Sequence, residues 1–289
     1  MGTPRVSVVI PVRDDPDRLR TCLDALSHQE GGLSDVEVLV VDNASRDPAA
    51  RVVAEYPFAR ALNAPESGSY AARNRGIEAA RGELIAFTDA DCIPERSWLA
   101  RGSSAVGETG LVAGRVRVFA SAADAAGTPD PIESYELATA FPQQQYVRAG
   151  YGVTANLFVR RELFAAVGTF DAQLLSGGDL EWGQRARAQG VRVQYCADAV
   201  VAHPARKTWH ELRRKKVRLI DGEHQRTRQS VSGRWRWRAK LLRTLAPPGG
   251  DLAAVWRRRH SLAPFWRVAL VALRAHYAQV LRRWQLALG

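Results

Sequence analysis

The chain has 289 residues, 46% of them hydrophobic, and a net charge of +11. That length allows one large α/β domain with a smaller appendage, and the apolar content excludes disorder as the default state. Three widely spaced cysteines (Cys22, Cys92, Cys196) form no pair at metal-ligand spacing and read as reduced, intracellular thiols.

No window supplies the ~18 uninterrupted apolar residues a spanning helix needs, and the first residues lack the apolar core of a secretory signal. A cytoplasmic protein is therefore expected. The charge is unevenly placed: from His203 onward there are 21 Lys and Arg against 4 Asp and Glu, a net of +17, while residues 1–202 carry a net of −6. An acidic body with a basic tail points to an anionic partner for the tail, either a phospholipid surface or nucleic acid.

In chain order, Val6–Val12 is a β-branched run that reads as a buried first strand. Asp15 offers an N-cap and Pro16 a first helical residue, and Leu19, Cys22, Leu23 and Leu26 then follow at helical spacing. Val36–Val41 is a second strand ending at Asp42-Asn43-Ala44-Ser45. A helix over about Pro48–Tyr56, a short strand near Arg60–Leu62, a helix over Gly68–Arg81 and a strand over Leu84–Thr88 follow. This alternation predicts a parallel sheet with helices on both faces, whose ligands bind beyond the carboxyl ends of the strands. Asp42, Asp89 and Asp91 stand at those ends.

After about Gly110 the pattern changes. Leu111–Phe119, Thr154–Arg160 and Val191–Tyr195 read as strands, with helices at Pro131–Ala140, Glu162–Val167 and Gly178–Gln189. From Lys207, two or three basic helices are broken at Gly222, Gly233 and the linker Pro247-Pro248-Gly249-Gly250.

Asp89-Ala90-Asp91 is the centre of the chemistry. Two carboxylates separated by a small residue can hold a hard divalent cation through oxygen, as a nucleotide diphosphate leaving group requires. Taken alone, Asp-x-Asp is also a common solvated turn.

Its context decides the reading. Val8-Val9-Ile10-Pro11-Val12, Val40-Val41-Asp42-Asn43-Ala44-Ser45, Ala72-Arg73-Asn74-Arg75-Gly76 and Phe87-Thr88-Asp89-Ala90-Asp91 resemble the successive signatures of family 2 glycosyltransferases. The resemblance continues through Asn156, Gly178-Asp179-Leu180-Glu181 and Arg185 to His203, and so covers roughly residues 5–205. It implies a GT-A fold: a Rossmann-like α/β domain with a mostly parallel central sheet and flanking helices, joined here to a basic helical C-terminal region. It also implies an inverting, metal-dependent transfer of a sugar from a nucleotide diphosphate to an acceptor hydroxyl. The expected domains are 1–205, with a nucleotide-sugar half to about 110 and an acceptor half over about 111–205, and a helical extension over 206–289.

Residue by residue, the resemblance implies that Pro11, Val12, Arg13, Asp42, Arg73, Asn74, Asp89 and Ala90 line the nucleotide site. Asp42 would accept the N3–H of a uracil or thymine, which favours a UDP-sugar, with dTDP hard to distinguish. Arg73 suits the diphosphate, or is simply an exposed helix charge. Asp91 matches the ligand to Mn²⁺ or Mg²⁺, Asp89 a group on the ribose or metal-bound water, and His203 a histidine that completes the metal shell in some relatives. Asp179 matches the catalytic base, and it is also placed to cap the following helix. Many members have Glu-Asp where this chain has Gly178-Asp179, which leaves Glu181 as a rival base. Asn156, Glu181, Trp182 and Arg185 are expected around a carbohydrate or lipid-linked acceptor. Phe141–Tyr146 and Tyr151–Asn156 border the same pocket, with amide and aromatic groups that suit sugars.

In the tail, Trp266, Leu270, Leu273, Tyr277, Val280, Trp284 and Leu288 form an apolar stripe flanked by Arg267, Arg274, Arg282 and Arg283. A basic amphipathic helix with Trp near its ends suits the inner face of a membrane, and equally a helix docked on protein or in a homodimer. Glycan or glycoconjugate synthesis is the expected context, with a soluble peptide or small metabolite as the alternative acceptor. A nucleic-acid-binding protein is the rival from another class, suggested by Arg213-Arg214-Lys215-Lys216 and Arg234-Trp235-Arg236-Trp237-Arg238, but no recognised nucleic-acid motif supports it and no nucleic-acid partner is expected. No Gly-x-Gly-x-x-Gly follows the first strand, against a dinucleotide oxidoreductase, and no glycine-rich, lysine-bearing loop does, against a nucleotidyltransferase.

Overall fold

The computed structural model describes residues 3–120, 127–228, 237, 241 and 246–288. Among the described residues, eight strands form one mixed sheet in the order β3-β2-β1-β4-β7-β6-β8-β5. In chain order these are β1 (Val6–Val12), β2 (Val36–Asp42), β3 (Ala59–Asn63), β4 (Leu84–Thr88), β5 (Ile93–Pro94), β6 (Leu111–Phe119), β7 (Asn156–Arg160) and β8 (Gln194–Pro204). The helices between them are α1 (Pro16–Ser27), α2 (Ala50–Val53), α3 (Ser69–Ala79), α4 (Trp98–Ala105), α5 (Pro131–Thr139), α6 (Gln143–Arg148), α7 (Arg161–Val167) and α8 (Gly178–Ala188). Beyond the sheet come α9 (Trp209–Arg228), α10 (Gly249–Arg257) and α11 (Phe265–Leu288).

The sheet has two halves with different physics. β1, β2, β3 and β4 pair in parallel, with Val12 opposite Asp42 and Val9 opposite Phe87. Every residue of β4 is buried, as crossover helices covering both faces require. From β4 onward the pairing turns antiparallel: Thr88 faces Asn156, Leu111 faces Val159 and Ile93 faces Ala202. The sequence change near Gly110 marks this switch. α1 buries Leu19, Cys22, Leu23 and Leu26 on the sheet, as their spacing predicts.

Several details differ from the sequence reading. Asp15 stands at the N-cap position but makes no capping bond, its carboxylate receiving Arg18 Nη1 at 3.4 Å instead. β8 starts at Gln194 rather than Val191 and runs unbroken to Pro204. α4 and α6 go beyond the elements legible as periodic patterns. Gly222 does not break α9. It is buried inside the helix, where a Cβ would run into the backbone of Ser176, so it is needed for close approach. Gly233 and all of Arg234–Arg238 except Trp237 lie outside the described residues.

The chain divides into two compact units, and neither is contiguous. The first holds Met1–Arg117, Phe141–Gln173 and Gly178–His203, and contains the sheet core. The second holds Val118–Ala140, Leu174–Gly177 and Pro204–Gly289. One junction between the units falls at His203–Pro204, and α5 is grouped with the tail helices. There Tyr135 is packed with Leu212, Val255 and Val268, and its hydroxyl donates to Asp251 at 2.5 Å. Glu136 in the same unit is buried between Arg206 (2.6 Å) and Lys215 (2.9 Å), which hold its carboxyl down at about 2 despite burial. Among the described residues, no helix is long and apolar enough to cross a membrane.

Candidate active site

The carboxyl ends of β1, β2 and β4 share one edge of the sheet, because the three strands run in parallel. Antiparallel β7 brings its beginning to the same edge, and the pairing of Ile93 with Ala202 brings His203 beside Asp91. The site is therefore a product of topology: residues far apart in sequence meet because their strands end together.

At the β2 end, Asp42 is buried and its two carboxylate oxygens accept the backbone N–H groups of Ser45 (2.9 Å) and Ala49 (2.8 Å). Asn43 N–H donates to Val12 O, and its side-chain oxygen accepts from Gly68 N–H, both at 2.8 Å, which ties three loops together. Pro11 and Val12 close β1 alongside, and exposed Arg13 donates to Ser67 Oγ at 3.2 Å. Asp14 and Ala44 both take positive φ here, 52° and 57°.

At the β4 end, Asp89 accepts a charge-assisted bond from Arg73, whose side chain is buried on α3 and lies 5.6 Å from the Tyr70 ring centroid. Arg73 is thus no exposed helix charge. Its Nε is buried without a partner, a donor still available to an anion at this spot. Asn74 points elsewhere: its amide bonds to both the O (2.7 Å) and the N–H (3.0 Å) of Phe170, so it clamps a loop rather than lining the nucleotide site. Ala90 is buried between the two aspartates.

Ligand atoms of Asp89, Asp91 and Cys92 lie within 4.8 Å of one another, and His203 Nε2 is 3.3 Å from Asp91 Oδ2. The His203 ring is buried and packs on Phe141 at a centroid distance of 4.6 Å. Two carboxylates and an imidazole form a donor set suited to Mn²⁺ or Mg²⁺. Cys92 does not belong to it. Its thiol is buried against Ala155 O, and burial pushes it well above the ordinary thiol range.

Asp179 enters in the first turn of α8, one residue inside the helix rather than at its cap. Its Oδ1 accepts Thr154 Oγ1 at 3.0 Å. Burial pushes this carboxyl up to about 6, against the pull of the Arg73 guanidinium and the Thr154 hydroxyl. Gly178 has a steric reason: a Cβ there would come 2.8 Å from the Tyr70 ring. The departure from Glu-Asp at this point is thus matched by an aromatic ring filling the space. Thr154 and Tyr70 were legible only as members of a polar loop and a helix, since nothing local in sequence links either to Asp179.

The four expected acceptor residues do structural work. Asn156 is fully buried: it accepts Trp98 Nε1 (2.9 Å) and donates to Arg115 O and Ala199 O (both 2.9 Å), stapling β7 to β6 and β8. Trp182 lies one turn after Gly178 on the inner face of α8, packs on Phe164 and Phe170, and donates to Gly168 O at 2.7 Å. Arg185 pairs with Glu181 at 2.6 Å and donates to Val167 O and Thr169 O, satisfying carbonyls around the end of α7. Both oxygens of Glu181 face the Arg185 guanidinium, whereas Asp179 has no such partner in its helix. In the segments expected to border the acceptor, Tyr146 and Tyr151 stack at 5.0 Å, and the phenol of Tyr146 is raised by burial and by the charge of Asp179.

The profile of the family described as "Glycosyl transferase family 2" matches residues 7–168. Glycosyltransferase AglE of Haloferax volcanii is 36% identical over 230 residues, spanning 77% of this chain and 74% of that protein. A mannosyltransferase of Pyrobaculum calidifontis, solved with GDP-Man and Mn²⁺, superposes with a TM-score of 0.62 at 20% identity, covering 97% of this chain and 88% of its own. Residues 1–349 of TarS of S. aureus, solved with UDP-GlcNAc, superpose with a TM-score of 0.55 at 15% identity, covering 99% and 92%. With the strand-end carboxylates already in place, these likenesses fix the assignment: the chain belongs to glycosyl transferase family 2, has the GT-A fold, and is a glycosyltransferase.

Proposed function

We propose that this enzyme is a cation-dependent, inverting glycosyltransferase whose donor is a nucleoside diphosphate sugar held at Asp42, Arg73, Asp89 and Asp91. The observation that carries this reading is the convergence of Asp89, Asp91, His203, Arg73 and Asp179 at one sheet edge, an arrangement that a fold alone does not require. Asp91 and His203, with Asp89, are the groups to hold Mn²⁺ or Mg²⁺. Such a cation, when bound, neutralises charge gathering on the departing diphosphate.

The remaining steps belong to the protein. Asp179 takes the proton of the acceptor hydroxyl as that oxygen bonds to the anomeric carbon; the bond from that carbon to the phosphate oxygen breaks, and the nucleoside diphosphate leaves with its electron pair. Thr154 Oγ1 donates to one carboxylate oxygen and so orients the group toward an acceptor. Arg73 has a buried Nε donor for a phosphate oxygen. Tyr146 and Tyr151 offer stacked rings for the acceptor sugar.

A uracil or thymine is supported by Asp42, whose oxygens keep lone pairs beyond the two backbone bonds. Guanine also presents ring N–H donors to a carboxylate, and the Pyrobaculum neighbour was solved with GDP-Man, so GDP is the competing base. A hydrolysis screen of UDP-, dTDP- and GDP-sugars with Mn²⁺, Mg²⁺ or EDTA tests both points. Release of the nucleotide from a UDP-sugar, lost in EDTA and in Asp91→Ala, is the expected result. Turnover undiminished in EDTA overturns the cation assignment, and a GDP-sugar preference overturns the base assignment. An acceptor in glycan or glycoconjugate synthesis, carbohydrate or lipid-linked, fits the stacked tyrosines.

A further inference from the structure

The helical unit carries a surface that sugar transfer does not use. On α11, Val268, Val271, Ala272 and Ala275 are buried with Tyr135 of α5, Leu212 of α9 and Val255 of α10, which gives the helix its core face. A second apolar face remains. Trp266, Leu270, Tyr277, Leu281 and Leu288 are 62%, 51%, 48%, 58% and 83% exposed. At 3.6 residues per turn they fall within about 60° of arc, a single stripe roughly opposite the core face. Trp256 on α10, 52% exposed, packs edge-on against Phe265 at 5.2 Å and extends the stripe past the helix start.

Guanidinium groups border this stripe. Arg259 lies over Trp256 at 4.3 Å and Arg267 over Trp266 at 5.3 Å. Between α9 and α11 runs a groove of about 420 Å³, lined by Trp209, Arg213, Arg274, Tyr277, Leu281 and Arg282 among others. Arg282 is paired with Asp221 at 2.6 Å. Arg274 stacks on Trp209 at 4.4 Å, and neither Arg213 nor Arg274 has a carboxylate partner among the described residues. One end of the groove thus presents uncompensated guanidinium groups, and the other runs into the apolar stripe through Tyr277 and Leu281.

We propose that this face of the helical unit docks on an anionic phospholipid bilayer, with a lipid phosphate held by Arg213 and Arg274 in the groove and Trp266, Leu270, Leu281 and Leu288 entering the acyl boundary. Charge complementarity selects this occupant. A region of net +17 repels a second copy of itself across a symmetric interface. Nucleic acid would use the arginines but leave the leucines and tryptophans solvated. An anionic bilayer satisfies both the arginines and the stripe, and tryptophan favours its interface.

Sedimentation of the full chain with phosphatidylcholine vesicles, with and without phosphatidylglycerol, tests this. Binding is expected only with phosphatidylglycerol and is expected to weaken as salt rises, because the attraction is screened over about 8–10 Å at ordinary ionic strength. Arg213→Gln with Arg274→Gln lowers that binding about thirtyfold, the equivalent of about 1 kcal/mol for each basic residue removed from an anionic surface. Trp266→Ser with Leu281→Ser also weakens it. Because all four side chains are exposed or rim the groove, thermal melts of both double variants stay at the wild-type temperature. Arg51→Gln in the sheet unit leaves binding unchanged. Equal binding to neutral vesicles, an equal loss in Arg51→Gln, or a dimer abolished by Trp266→Ser with Leu281→Ser while vesicles are inert would each overturn the proposal.

Discussion

At Asp179, burial and a guanidinium pull proton affinity in opposite directions, and burial wins, leaving the carboxyl near 6. Two consequences follow for a base at this position. Turnover falls as pH drops through about 6, because only the ionised carboxylate accepts the acceptor's proton. Stability moves the other way: in the unfolded chain the group ionises near 3.8, so above about 6 its charge costs the folded state up to about 3 kcal/mol, a cost absent below 3.8. Asp179→Asn is therefore expected to lose about 10²–10⁴ in turnover while raising the melting temperature at neutral pH, with the gain vanishing in acid. Calorimetric melts at both pH values check this, and an acid-independent gain contradicts it. Thr154→Val removes a bond to the ionised carboxylate and should move the acidic limb of the rate profile upward with donor KM unchanged. The motif singles out Asp179 as a candidate base. Its environment was not legible in the sequence, because Tyr70, Arg73 and Thr154 reach it only through the fold.

Among the elements, the β-α alternation to Thr88 was readable because β1, β2 and β4 are almost wholly buried, so apolar runs and polar strand ends coincide. The antiparallel half was less so. Ala197 and Asp198 are exposed in the middle of β8, which cut the strand reading short at Tyr195. Gly222 read as a helix break from propensity alone, while its cause is the backbone of Ser176 across a close contact. Asn156 is the instructive error: an amide in a motif suggested sugar binding, yet the pairing of β4 with β7 drives it into the core. Asn156→Ala would leave Trp98 Nε1 and the carbonyls of Arg115 and Ala199 unpaired, at about 1–3 kcal/mol for each buried group. A melting temperature lower by several degrees, with any residual activity keeping its acceptor KM, is the expected outcome; a raised KM at unchanged stability would restore the acceptor role.

For the whole molecule, the acidic body and basic tail were plain in the composition, and they correspond closely to the sheet unit and the helical unit. What composition could not reveal is that Val118–Ala140 leaves the first to join the second, since α5 is recruited by contacts with helices more than seventy residues later in the chain. The sheet unit contains every residue proposed for donor binding and proton transfer, so the proposed transfer rests on nucleotide recognition by that unit. Calorimetric titration of the full chain with UDP, with and without Mn²⁺, beside Asp91→Ala, tests it most directly. Tight binding by the wild type only when Mn²⁺ is present, with loss of that dependence in Asp91→Ala, is the expected result. UDP binding of equal strength without the cation, or a Mn²⁺ dependence that survives in Asp91→Ala, would contradict it.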